Sequence, residues 1–195
     1  VYSIGLHDLP PYVKHFLKEY PEVNIHVEYR RANQVYEDVL ANIVDLGLVA
    51  YPVPDARLET ILLRQDRLVL VCAPQHPLAN RKSVKFGALN GQKFISFDPD
   101  TPTRKALDKI FKKHGVVAEH VMEFDNIETA KRAVEIDSGI AIVPEDTVRQ
   151  EVAAETLCSI RLEGDNYRQL AVIYKKNKVL SPAMKQLIEL LKKTL

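Results

Sequence analysis

Hydroxyl side chains stand twice where a strand-like run passes into a helix-like run. Ser3 and Ile4 follow Val1-Tyr2 and precede a helical pattern. Thr101 and Thr103 follow Lys93-Phe-Ile-Ser-Phe97 and precede a helix rich in Lys and Arg. A hydroxyl beside the free N–H groups of a helix start favours an oxyanion. Each position also has a plainer use, Ser3 as a turn residue and the threonines as N-caps. Arg30 and Arg31 end the alternating run Val23, Ile25, Val27, Tyr29, so they point to opposite faces. One of them, taken here as Arg31, can reach an anion, and the other is solvated. Arg104 either adds charge to the second hydroxyl pair or is itself solvated. Tyr51 and Val143 end two comparable apolar runs, where Tyr51 can stack on a ligand or pack under Pro52. Asn126 serves as a helix cap or as a polar contact.

These residues are placed by a repeat. Asp45-Leu-Gly47-Leu-Val-Ala-Tyr-Pro52 and Asp137-Ser-Gly139-Ile-Ala-Ile-Val-Pro144 share one pattern, 92 residues apart (137 − 45). In each, an amphipathic helix precedes, Gly closes it, an apolar strand follows, and Pro stops the strand. Two copies predict two similar α/β lobes. Ligands of open α/β sheets sit at the carboxyl ends of the strands, so two lobes facing a shared crevice make a small-molecule clamp.

The rest of the chain fills in the elements. The spacing of Leu9, Val13, Phe16, Leu17 and Tyr20 predicts a helix capped by Asp8, with Pro10 and Pro11 in its first turn. Val23–Tyr29 reads as a half-buried strand, Asn33 as the cap of a second helix, and Val1-Tyr2 as part of an opening strand. The first part is thus β-α-β-α-β, which implies a parallel sheet. Runs 58–63 and 67–73 read as two further strands. Leu107, Ile110 and Phe111 mark a helix ended by His114-Gly115, then come a strand at Val117–Phe124 and a helix capped at Asn126. The last strand, Gln169–Tyr174, and a helix begun by Ser181-Pro182 should return to the first lobe. This puts residues 1–84 with 167–195 in one lobe and 85–166 in the other, with crossovers near Ser83–Phe86 and Gly164–Arg168 acting as a hinge.

Charge and cysteines narrow the function. With 27 basic and 26 acidic residues the net charge is +1, no footprint for nucleic acid or an anionic membrane. No apolar run approaches a membrane span, and no signal peptide is visible. Cys72 and Cys158 read as reduced core thiols of a cytoplasmic protein. The six histidines form no metal-ligand spacing. Ser3 and His7 lack a third member for nucleophilic catalysis, Glu135 and Asp137 read as a solvated helix end, and no Gly-rich phosphate loop occurs. Neither an enzyme nor a cofactor is expected.

The opening Tyr2-Ser-Ile-Gly-Leu-His-Asp-Leu-Pro-Pro11, the segment Val39–Ala50, His76-Pro-Leu-Ala79, Gly139–Pro144, Arg168–Tyr174 and Leu180-Ser-Pro182 resemble the C-terminal effector-binding domain of LysR-type transcriptional regulators. The resemblance covers essentially the whole chain. It implies an α/β, two-lobe, periplasmic-binding-protein-like (type 2) fold and a small anionic effector between the lobes. It also implies ligand contacts at Ser3 and the threonines, and a homodimer or tetramer built from side-by-side antiparallel chains. DNA would be met only through an N-terminal winged helix-turn-helix outside this chain. The alternative is a free-standing solute-binding protein of a transport system on the same fold.

Overall fold

A computed structural model describes residues Ser3–Thr194, so the expected strand at Val1-Tyr2 lies outside the described residues. The chain divides by contact into two compact units, Val1–Gln65 with Gln169–Leu195, and Asp66–Arg168. The sequence reading groups residues 66–84 with the first lobe, whereas their contacts group them with the second unit. The segment passes between units on β2 (Leu58–Cys72) and returns on β8 (Tyr167–Lys175). The two strands expected at 58–63 and 67–73 are one continuous strand. Asp66 interrupts the apolar pattern but lies buried against Arg168 instead of turning the chain.

In the first unit a π-helical turn, Ile4–Asp8, runs into α1 (Leu9–Glu19), followed by α2 (Ala32–Leu40) and β1 (Gly47–Ala50). β1 pairs antiparallel with β8, and the register sets Val49 opposite Ala171 and Leu48 opposite Val172. Strand side chains alternate between faces. Val49, Ala171 and Ile173 therefore meet Val35 and Val39 of α2 on one face. On the other, Val172 meets Leu9 of α1 together with Ile188 and Leu191 of α6 (Pro182–Thr194).

Several local expectations for this unit are not met among the described residues. The run Val23–Tyr29, expected as a half-buried strand, forms no ladder among the described residues. Nor is the parallel sheet expected for this unit seen among the described residues, where β1 pairs antiparallel with β8. Asp8 does not cap α1; it is buried and ion-paired with Arg64. Arg31, not Asn33, stands at the cap position of α2 and makes no side-chain cap bond. Nor does Gly47 close α2. Asn42 takes the left-handed turn (φ 58°), as Asp137 (φ 58°) does after the helix Ile127–Glu135.

The repeated glycines serve close approach instead. A Cβ on Gly47 would stand 2.6 Å from Val35 Cγ1 and 2.9 Å from Ile173 Cγ1. One on Gly139 would stand 2.6 Å from the Lys93 carbonyl oxygen. Gly47 opens β1, and Gly139 precedes its apolar strand, each where a neighbouring element crosses too tightly for a side chain.

The second unit holds β3 (Ser83–Val84), β4 (Lys93–Phe97), α3 (Pro102–His114), β5 (Glu119–Phe124), α4 (Ile127–Glu135), β6 (Ala141–Pro144), α5 (Arg149–Ala153) and β7 (Cys158–Leu162). β2 pairs antiparallel with both β6 and β7, and β3 joins β7 in parallel. β4 and β5 run parallel, and a bridge from Phe94 to Ile140 ties β4 to the start of β6. One core spans the unit, with Phe94 tilted on Phe111 at 5.0 Å. α3 follows local rules throughout, with Thr101 capping it, Pro102 in the first turn, basic residues in the last, and Gly115 left-handed at φ 65°.

Candidate functional site

In the first unit, Ser3 has helical backbone (φ −59°, ψ −41°) and its side chain makes no cap bond. The following Ile4 is 1% exposed and packs with Ala50 and Leu170, with Tyr51 against the same cluster. The structure therefore brings the start of the first helix to the carboxyl end of β1. Ile4 is a core side chain, so what it can offer a ligand is its backbone N–H. Tyr51 turns the chain there with φ 52°, a conformation disfavoured for an aromatic residue, and its backbone N–H bonds Gln169 O at 2.8 Å. Arg30 is engaged by Glu28 and by Asp38 at 3.5 Å, while Arg31 is exposed at the start of α2.

In the second unit the Asp98 N–H donates to Phe124 O at 3.0 Å, so the carboxyl ends of β4 and β5 lie side by side. α3 and α4 both begin there, which gathers Thr101, Thr103 and Asn126 on one edge. Thr101 is spent on capping, since its Oγ1 donates to Asp98 O at 2.8 Å and accepts from the Arg104 N–H at 3.2 Å. The neighbouring Thr103 hydroxyl takes no part in that cap. Asn126 is likewise a cap: its Oδ1 accepts from the Thr129 N–H at 3.1 Å and its Nδ2 donates to Asp125 Oδ1 at 3.0 Å. Arg104 is no solvated charge. It binds Asp108 at 2.9 Å, Glu123 at 2.5 Å and Phe97 O at 3.1 Å, bracing α3 against β4 and β5. Val143 is fully buried in β6 opposite Val69, a core residue with no face toward a ligand.

A hydroxyl–imidazole pair escaped the sequence reading. Ser96 Oγ and His120 Nδ1 share a hydrogen bond at 2.6 Å across β4 and β5. Burial, then the Arg104 guanidinium, hold the imidazole below its ordinary value, against the opposite pull of Asp108 and Glu123. Ser96 is 6% exposed inside the sheet, too covered to attack a bound substrate. The hint available in the sequence was a polar residue inside the apolar run 94–97. Its partner is set by a parallel register broken by a bulge, which no local pattern reveals.

A cavity of about 360 Å³ in the first unit is lined by residues 23–30, Gly47, Leu48, Val172 and α6 residues including Met184 and Leu187. Arg30 lines it, whereas Ser3, Ile4, Arg31 and Tyr51 do not. Among the described residues no His, Cys, Asp and Glu cluster could hold a metal, and no helix is long and apolar enough to cross a membrane.

This is a mixed α/β architecture with helix starts collected at strand carboxyl ends, as in the ligand-binding folds of periplasmic-binding-protein type 2. The chain belongs to the LysR substrate binding domain family, whose model matches residues 1–195. It is similar to the RuBisCO operon transcriptional regulator of Allochromatium vinosum, 25% identical over 86% of this chain and 56% of that protein. The corresponding regulator of Acidithiobacillus ferrooxidans is 28% identical over 94% of this chain and 60% of the relative. The chain thus spans little more than half the length of these relatives. The Synechocystis PCC6803 CcmR regulatory domain in complex with 2-PG shares the fold with a TM-score of 0.89, at 23% identity, over 98% of this chain and 92% of the other. The effector-binding domain of QuiR in complex with shikimate gives 0.86 at 22% identity, with the same coverages.

Proposed function

We propose that this chain is the effector-sensing part of a LysR-type transcriptional regulator, and that its effector is a small anionic metabolite. The observation that carries the reading is the edge of the second unit, where α3 and α4 start beside the carboxyl ends of β4 and β5. Helix starts offer N–H groups and a positive dipole end to an oxyanion. Ser3 at the first helix of the other unit and Thr103 on α3 are the hydroxyls proposed to complete the contact, with Arg31 and Tyr51 beside the first. Thr101 and Asn126 then act by fixing the helix starts, and Ile4 through its backbone. The similar solved domains were captured with 2-PG and with shikimate, both acidic small molecules.

Binding that favours one arrangement of the two units shifts the equilibrium of a homodimer or tetramer. DNA is met by a winged helix-turn-helix elsewhere in the full-length cytoplasmic protein, and no catalysis or cofactor is involved. The curated relatives are regulators, which favours this reading over a transport solute-binding protein.

Thermal-shift titration with 2-PG and shikimate tests the proposal. Saturable stabilisation by one of them is expected. Ser3→Ala and Thr103→Ala should each weaken it by about 0.5–1.5 kcal/mol, the net worth of one hydrogen bond. Unchanged affinity in both variants would sink the assignment of these hydroxyls.

A further inference from the structure

Cys72 and Cys158 stand far apart in the sequence but are direct partners in the antiparallel ladder of β2 and β7. Both are free thiols. Directly opposed residues point to the same face of a sheet, and Cys158 packs against the core cluster that contains Cys72. Opposed Cα atoms in such ladders lie about 4.5–5.5 Å apart, inside the span a disulfide bridges. The pair is also the last of its ladder, since Cys72 ends β2 and Cys158 begins β7. Strand ends can shift where the middle of a sheet cannot, so the sulfurs have room to close to bonding distance.

The two thiols are unequally placed. Cys72 is fully buried, whereas Cys158 is only half-buried. Burial, with smaller contributions from Cys158 and Asp137, pushes the Cys72 thiol up to about 12, so it does not react first.

We propose that Cys72 and Cys158 form a reversible cross-strand disulfide, a redox modification site with a hydroperoxide as oxidant. The Cys158 thiolate attacks a peroxide oxygen, the O–O bond breaks, and Cys158 becomes a sulfenic acid as one water leaves. The Cys72 sulfur then attacks Cys158 Sγ, the S–O bond breaks, and the Cys72 proton leaves with the departing hydroxide as a second water. Two thiols and one hydrogen peroxide thus give one disulfide and two waters. Cross-strand Cβ atoms start near the upper limit for an S–S bridge, which makes the bond strained and readily reduced again. The bond would staple β7 to the strand on which the chain leaves the first unit.

The experiment exposes the folded, reduced 195-residue chain to hydrogen peroxide, then quenches, denatures and counts thiols beside intact-mass measurement. The count should fall from two to none, with loss of the mass of two hydrogens in a monomer, a peptide joining Cys72 to Cys158, and full reversal by dithiothreitol. Cys72→Ser should instead accumulate a Cys158 sulfenic acid trapped by dimedone, and Cys158→Ser should keep its buried thiol. Two thiols remaining, oxygen added to wild type without a crosslink, or disulfide-linked dimers would each overturn the proposal. So would a crosslink that forms only after the circular dichroism of the fold is lost.

Discussion

Arg168 Nε donates to Asp66 Oδ2 at 2.8 Å, and both side chains are almost wholly buried, 3% and 2% exposed. These residues are the last and first of the second unit, at the two points where the chain crosses. The flanking pairs share their register. Arg67 Nη2 donates to Tyr167 Oη at 2.6 Å, and Gln65 Nε2 to Gln169 Oε1 at 3.3 Å. The crossing strands are held by side chains as well as by their ladder.

Removing one partner of a buried pair strands the other charge, which costs about 3–5 kcal/mol. Arg168→Met should therefore lower the urea-unfolding free energy by that amount. The double change Asp66→Leu with Arg168→Met should recover most of it. A single variant within about 1 kcal/mol of wild type would show the pair to be energetically idle.

Gly139→Ala should be more damaging than Gly47→Ala. The new methyl at 139 meets the Lys93 carbonyl, backbone that also accepts the Ile140 N–H and cannot yield. At 47 it meets side-chain carbons of Val35, Val39 and Ile173. Overpacking costs about 1–3 kcal/mol, with Gly139 at the top of that range. Gly87→Ala, with nothing within 4 Å of its Cβ, is the neutral comparison. Thermal midpoints of the three variants give the order directly.

The His120 imidazole is held below its ordinary value of 6.5, chiefly by burial and then by Arg104. As pH falls, the unfolded chain binds this proton before the folded one. The contribution to stability is thus complete above 6.5 and is lost as pH drops through the window beneath it. Denaturation of wild type and His120→Gln, at neutral pH and about one unit below the ordinary histidine value, should show the larger fall in wild type. An equal fall in both would assign the pH dependence to other groups.

Alone among the strands of its parallel pair, β5 faces solvent along its length, and Val121 and Met122 are 37% and 40% exposed. Such an edge needs a cover. The aromatic residues Phe16 of α1 and Phe111 of α3 are buried within their own units. The proposed dimer therefore rests on the edge strand. Sedimentation should give a dimer that Val121→Lys dissociates, from an interface of at least about 1,000 Å². A monomer at every concentration would remove β5 from the account.

What the sequence made legible was local. Thr101 and Asn126 were read as caps because the cap pattern lies within four residues, and Gly115 because a helix end calls for a left-handed residue. What failed depended on partners. The alternation of Val23–Tyr29 was real, yet no ladder is formed by it among the described residues. Asp8 and Asp66 looked like a cap and a strand break; each is buried by an arginine supplied from a distant segment. The pairings of Cys72 with Cys158 and Ser96 with His120 exist only through strand register. Of the expected site, Thr101 and Thr103 stand at the start of α3, while Val143 and the Ile4 side chain lie in the core.

The most direct test of an anion-sensing domain is a backbone-amide NMR titration of this chain with 2-PG. Saturable shifts are expected to concentrate at the helix starts, in Ser3–Gly5, Thr103–Lys105 and Ile127–Thr129, with affinity reduced in Thr103→Ala. Saturable shifts confined to the cavity lined by residues 23–30, with all three helix starts unmoved, would contradict it.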